Sequence, residues 1–139
     1  MDISTMFRMS GAALGAQKHR LEVIGENLAG ANVTRTANGT PYQRQEVVFK
    51  TFSDALSQAK GADAPKLVSA STELDQRPFK EVYQPGHPDA NDQGYVSMPN
   101  VNTMEEMVNM ISATRSYEAN VKVITATKHM ANKALEIGQ

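Results

Sequence analysis

The sequence predicts a mainly α protein with a small β segment: long N- and C-terminal helices paired as a coiled-coil-like layer, joined by an extended or β-hairpin middle region. Three observations carry this. Apolar residues recur at steps of three and four near both ends, the spacing of one helical face. All six prolines, at 41, 65, 78, 85, 88 and 99, fall in the middle and leave both ends free. The apolar content of 40% is mostly Ala, Val, Leu, Ile and eight Met, with 6% aromatic residues and no Trp. That composition suits packed helices better than a thick sandwich.

The first stripe runs Ile3, Met6, Ala13, Leu14, Leu21, Ile24 and Leu28, with Gln17 in a seam position, while Lys18, Arg20, Glu22 and Glu26 lie mostly off it. Asp2 or Ser4 can cap its start, and Gly30 or Asn32 in "NLAGANVT" can close it in the left-handed conformation. Residues 1–32 thus form one helical segment.

The middle region, 33–102, follows a different grammar. "YQRQEVVFKTF" (42–52), "KLVSASTEL" (66–74) and "FKEVYQ" (79–84) lean towards strand. "SDALSQAKGADAPK" drifts into small and polar residues, and a mobile loop is expected over 53–66. "TANGTP" (36–41) predicts a turn, with Asn38-Gly39 supplying positive φ.

The last segment, 103–139, repeats the first design at greater length. Met107, Ile111, Thr114, Val121, Ile124, Lys128, Ala131 and Leu135 form a stripe, broadened by Met104, Val108, Tyr117 and Met130. Asn102 or Thr103 is the predicted N-cap, and Glu105 and Glu106 sit in the first turn, where the helix dipole favours anions. The predicted helix spans 103–137.

Several function classes are excluded or disfavoured. A net charge of −1 gives no electrostatic footprint for nucleic acid. The absence of cysteine removes disulfides and thiolate metal sites. Asp2 and interspersed polar residues break any Sec-type h-region, so no cleaved signal peptide is expected. No run reaches the roughly 18 apolar residues of a transmembrane helix.

No catalytic residue, cofactor site or metal site is expected. In "HPDANDQGYVSMPN" (87–100), Asp89, Asn91, Gln93 and Gly94 match positions 1, 3, 5 and 6 of a calcium loop. Position 12, which must be a bidentate glutamate, is Asn100, and Pro85 and Pro88 preclude the incoming helix. A Pro- and Gly-rich connector with Asx caps accounts for the stretch. His19, His87 and His129 are too far apart in sequence to form a ligand pair. No serine lies in a nucleophile elbow or an SxxK arrangement.

Two amphipathic helices can cover one another, yet a single pair leaves a wide Met- and Ala-rich surface uncovered. Further helices must come from neighbouring molecules. The expected assembly interface comprises Ile3, Met6, Leu14, Gln17, Leu21, Ile24 and Leu28 on the first helix. On the last it comprises Met107, Ile111, Arg115, Tyr117, Val121, Ile124 and Leu135, with Arg115 and Tyr117 as polar-tipped anchors. An Arg115–Glu118 pair at i, i+3 is the bland alternative for those polar positions.

"NLAGANVTRTANGTPYQRQEVVF", "VYQPGHPDANDQGYVSMPNVN" and "EMVNMISATRSYEANVKV" resemble, in order and across essentially the whole chain, the flagellar basal-body rod proteins of the proximal rod. "AALGAQKHRLEVIGENLA" is similar to the N-terminal segment shared by the wider rod and hook family, with its Ala-Gln pair and its Asn-Leu-Ala-Asn. Ala16-Gln17 and Asn27-Leu28-Ala29 match that pattern, and Gly30 stands in place of its last Asn.

The resemblance implies a structural subunit whose terminal helices form the inner coiled-coil layer of a hollow helical rod. It implies homo-oligomeric contacts, contacts with other rod proteins, and contacts with the adaptor that joins the rod to the membrane ring. It implies export by the flagellar type III apparatus to the periplasmic part of the basal body. The competing expectation is a self-contained helical adaptor or regulatory domain with a β-hairpin insert. A small hydrolase would need an acid or base in a pocket, which these residues do not furnish.

Overall fold

The protein is described by a computed structural model over residues 3–51 and 68–137. The expected loop at 53–66 and the candidate cap Asp2 lie outside these residues. The element order is α1 (Ile3–Gly30), β1 (Gln45–Thr51), β2 (Val68–Leu74), β3 (Lys80–Tyr83), β4 (Tyr95–Met98) and α2 (Thr103–Ile137). The chain is therefore mainly helical with a small β region, as predicted, and α2 has the predicted bounds.

The strands form two two-stranded sheets, β1 with β2 and β3 with β4. In the second, Lys80 pairs with Met98, Glu81 with Ser97, Val82 with Val96, and Tyr83 with Tyr95, all antiparallel. The sequence pattern places Tyr95–Met98 in a connector, whereas the structure makes it a strand. Its alternation leaves Tyr95 and Ser97 exposed and Val96 fully buried, which is strand patterning on a segment of only four residues.

The loop between β3 and β4 is built as the Asx reading expected. Asn91 Oδ1 accepts from the backbone N–H groups of Gln93 (3.0 Å) and Tyr95 (2.9 Å), and Gly94 turns the chain at φ +82°. A Cβ on Gly94 would lie 2.9 Å from the Tyr83 ring, so the glycine also makes room for the Tyr83–Tyr95 edge contact at 5.3 Å between centroids. In the earlier turn Gly39 takes φ +78° while Asn38 does not, and Gly39 N–H donates to Thr36 O at 2.9 Å.

The end of α1 differs from expectation. Neither Gly30 nor Asn32 adopts a positive φ. The last turn instead tightens, with Val33 N–H donating to Gly30 O at 3.0 Å. Gly30 is required for another reason: a Cβ there would lie 2.6 Å from the Tyr42 ring. At the start of α2 Asn102 is the cap, its Oδ1 accepting from Met104 N–H at 3.1 Å.

The chain packs as two compact units, and both helices contribute to each. One unit takes α1 up to Leu21, β1 from Val47, β2 up to Ser71 and α2 from Ile111. Among its described residues the buried side chains, Ala16, Ala113 and Thr127, are small. The other takes Glu22–Glu46 and Thr72–Met110, and buries Val23, Ile24, Val96, Pro99 and Val101 together with several polar groups.

Candidate assembly face and buried polar junction

The second unit is organised around Asn27. Its side chain is fully buried in the last turns of α1, and every hydrogen-bonding direction is used. Nδ2 donates to Gln45 O at 2.8 Å and to Glu106 Oε2 at 3.1 Å. Oδ1 accepts from Gln45 N–H at 2.9 Å and from the Tyr42 hydroxyl at 3.1 Å. A buried amide satisfied on all sides avoids the desolvation penalty and points its partners in fixed directions.

Glu106 brings α2 to the same place. Its side chain is also fully buried, and Oε1 accepts from Arg44 Nε at 2.8 Å. Arg44 in turn donates from a second guanidinium nitrogen to Asp75 Oδ2 at 3.0 Å, and its backbone N–H donates to Asn100 Oδ1 at 2.7 Å. Asp75 further accepts from Arg77 N–H at 2.9 Å and Arg77 Nε at 2.7 Å. Asn100 closes the circuit by donating to Arg77 O at 2.9 Å. The junction thus ties α1, the approach to β1, the segment after β2, and the start of α2.

The electrostatics follow from this geometry. Burial pushes the Asp75 carboxyl up, but the hydrogen bonds from Arg77 and Arg44 outweigh it and hold the group below its ordinary value. Burial works against the Arg44 charge, and the Glu106 hydrogen bond and charge reverse that effect, leaving it above its ordinary value. Burial, then the Glu26 carboxylate, pushes the Tyr42 phenol up, so it remains a donor.

The sequence pattern gives Glu106 only a helix-dipole role and does not single out Arg44. Nothing within four residues of either signals the pairing, because the partners are distant along the chain. The available clue was an arginine between two glutamines in "YQRQEVVF", a charged residue where the strand pattern runs into apolar side chains.

The expected interface residues fall into two groups. Ile24 is buried within the chain, and Met6, Leu14, Gln17, Leu21, Leu28 and Ile124 are half-buried. The Gln17 side-chain oxygen is buried with no hydrogen-bond partner among the described residues. The side chain of Ile3 is outside the described set. On α2, Met107, Ile111, Arg115, Tyr117, Val121 and Leu135 are exposed, and so are Met104, Val108, Val123 and Met130. Leu135 is 72% exposed and Met104 68%. Arg115 and Glu118 are both exposed and, among the described residues, neither enters an ion pair.

The residues of the apparent calcium loop are engaged elsewhere. Asp89 Oδ2 accepts from Thr34 Oγ1 at 2.8 Å, with Arg35 at 3.7 Å from its other oxygen, and Asn91 serves the turn. His87 is half-buried, and its Nδ1 accepts from Asp89 N–H at 3.1 Å. No helix among the described residues is long and apolar enough to cross a membrane.

Comparison with known proteins agrees with the resemblance. Residues 92–137 match the family described as flagellar basal body rod FlgEFG protein C-terminal. The chain is similar to the flagellar basal-body rod protein FlgC of Salmonella typhimurium, at 43% identity with all of both chains covered. It is 46% identical to the FlgC of Bacillus subtilis over 94% of this chain and 95% of that one. With the FlgC of Escherichia coli O157:H7 it shares 42% over the full length of both.

Proposed function

The chain belongs to the FlgC family of flagellar basal-body rod proteins, and from that premise we infer that it is a structural subunit of the bacterial flagellar rod. Its place is the flagellar basal body, and its role is mechanical rather than enzymatic. The family relationship supports assembly with other rod components.

The finer reading is that it joins the proximal rod. There it packs helix against helix with copies of itself and other rod proteins, and meets the adaptor that links rod to membrane ring. It reaches the periplasmic space through the type III export apparatus without a cleaved signal peptide. In that position it forms part of a hollow shaft that carries torque outward and lets exported proteins pass.

The observation that carries this reading is the set of large apolar side chains that α2 exposes. Val108 is 64% exposed, and Met104, Ile111, Met130 and Leu135 are more than half exposed as well, on a 35-residue helix. Water does not satisfy so many apolar side chains, whereas packing against other helices does. A self-contained adaptor domain would cover them within the chain.

Leu28→Asp and Ile124→Asp test the seam. Each places a carboxylate where a helix face must be buried, which is costly without a partner. Both are expected to abolish rod formation in cells, scored by motility and by recovery of basal bodies. Normal rods from either variant would refute the seam assignment. Leu135→Asp adds a control, since its exposed position leaves the isolated chain's stability unchanged while assembly is lost.

A further inference from the structure

In the second unit, the first turns of α2 leave most of their large apolar side chains exposed. Of the described residues 103–110, only Glu106 is buried; Met104, Met107 and Val108 are exposed, and Asn109 and Met110 are half-buried. Glu106 is thus the buried anchor of this stretch, beside the part-exposed Glu105–Arg77 pair at 3.5 Å.

We propose that the Asn27–Glu106–Arg44 junction is a register lock, which selects one longitudinal alignment of the first turns of α2 against the last turns of α1. The bonds that meet there are directional. Glu106 divides its two oxygens between Arg44 Nε at 2.8 Å and Asn27 Nδ2 at 3.1 Å, so both contacts are satisfied in one alignment only. A slip of one helical turn, about 5.4 Å, removes both at once. It leaves the buried Arg44 guanidinium short of its innermost partner and one Asn27 donor unused. Buried polar groups fix helix register in this way because misalignment is penalised more heavily than alignment is rewarded. Asn27, Glu106 and Arg44 are positioning residues here, and the lock operates within one chain whether or not that chain enters a rod.

Because the chain has no cysteine, labels can be placed cleanly at the exposed positions Glu26→Cys and Val108→Cys. Spin-label distance distributions are then recorded for the labelled parent and for the same chain carrying Glu106→Gln or Asn27→Ala, with circular dichroism as the measure of helix content. The parent is expected to give one narrow population. Each variant that keeps the parental helix content is expected to show a second population, displaced by about one turn, ~5.4 Å. An unchanged narrow distribution in a helical variant overturns the proposal. So does loss of helix in both variants, because the junction then stabilises the unit without aligning it.

Discussion

Asn27 Nδ2 donates to Glu106 Oε2 at 3.1 Å, joining two fully buried side chains that lie 79 positions apart in the sequence. One comes from the end of the first helix and the other from the first turn of the second. Glu106→Ala is expected to strand this donor and to remove the closest partner of Arg44. Breaking a buried pair from one side costs about 3–5 kcal/mol, and the retained Asp75 contact places this case at the lower end, about 3. The urea midpoint of the isolated chain reports it, and a loss under about 1 kcal/mol would mean that the pair is not desolvated as described.

Gly30 and Gly25 share a helix but not a fate. Alanine is favoured over glycine in a helix by about 1 kcal/mol. At Gly25 an added Cβ meets nothing within 4 Å, so Gly25→Ala is expected to stabilise the isolated chain. At Gly30 the Cβ meets the Tyr42 ring at 2.6 Å, and overpacking of this kind costs about 1–3 kcal/mol. Gly30→Ala is thus expected to be neutral or destabilising. A thermal scan in which both variants gain equally would contradict the Tyr42 packing.

Asp75 predicts a pH dependence with a definite sign. Its folded-state value lies below the ordinary carboxylate value of about 3.9, so its contribution is fully present above that value. As pH falls from about 5 through 3.9 towards the folded value, that contribution is lost. Asp75→Asn should be less stable than the parent near neutrality, and the gap should close in acid. Urea midpoints across a pH series provide the check, with parallel curves as the contrary result.

His87→Ala removes the acceptor of Asp89 N–H in the loop between β3 and β4. A part-buried loop bond of this kind is worth about 1 kcal/mol. Rod assembly should be unaffected. A non-motile His87→Ala strain with a folded subunit would give this loop a role beyond connection.

The helices were legible because their signals are local. Asn102 and the stripe from Met107 to Leu135 place α2 without reference to any other segment, and steps of three and four do the same for α1. The three extended segments were visible from β-branched residues bounded by proline, and β4 was missed because four residues between Gly94 and Pro99 give too little alternation to register. The polar junction was hidden for a different reason. Arg44, Asp75 and Glu106 are each ordinary charged residues in their own neighbourhoods, and only the fold brings them together. Gly30 shows a mixed case: the position stands out against the family pattern, but its cause, the Tyr42 ring, lies twelve residues away, past a turn whose path the sequence does not state.

On the proposed function, the exposed apolar side chains of α2 are covered only on assembly. Its methionines are native probes, because oxidation to the sulfoxide follows solvent exposure, and Met104, Met107 and Met130 are all at least half exposed in the isolated chain. Oxidative footprinting of the purified monomer and of isolated basal bodies, read by mass spectrometry, compares the two states directly. Rapid oxidation of these three in the monomer and strong protection in the rod is the predicted result; equal rates in both states would contradict the account.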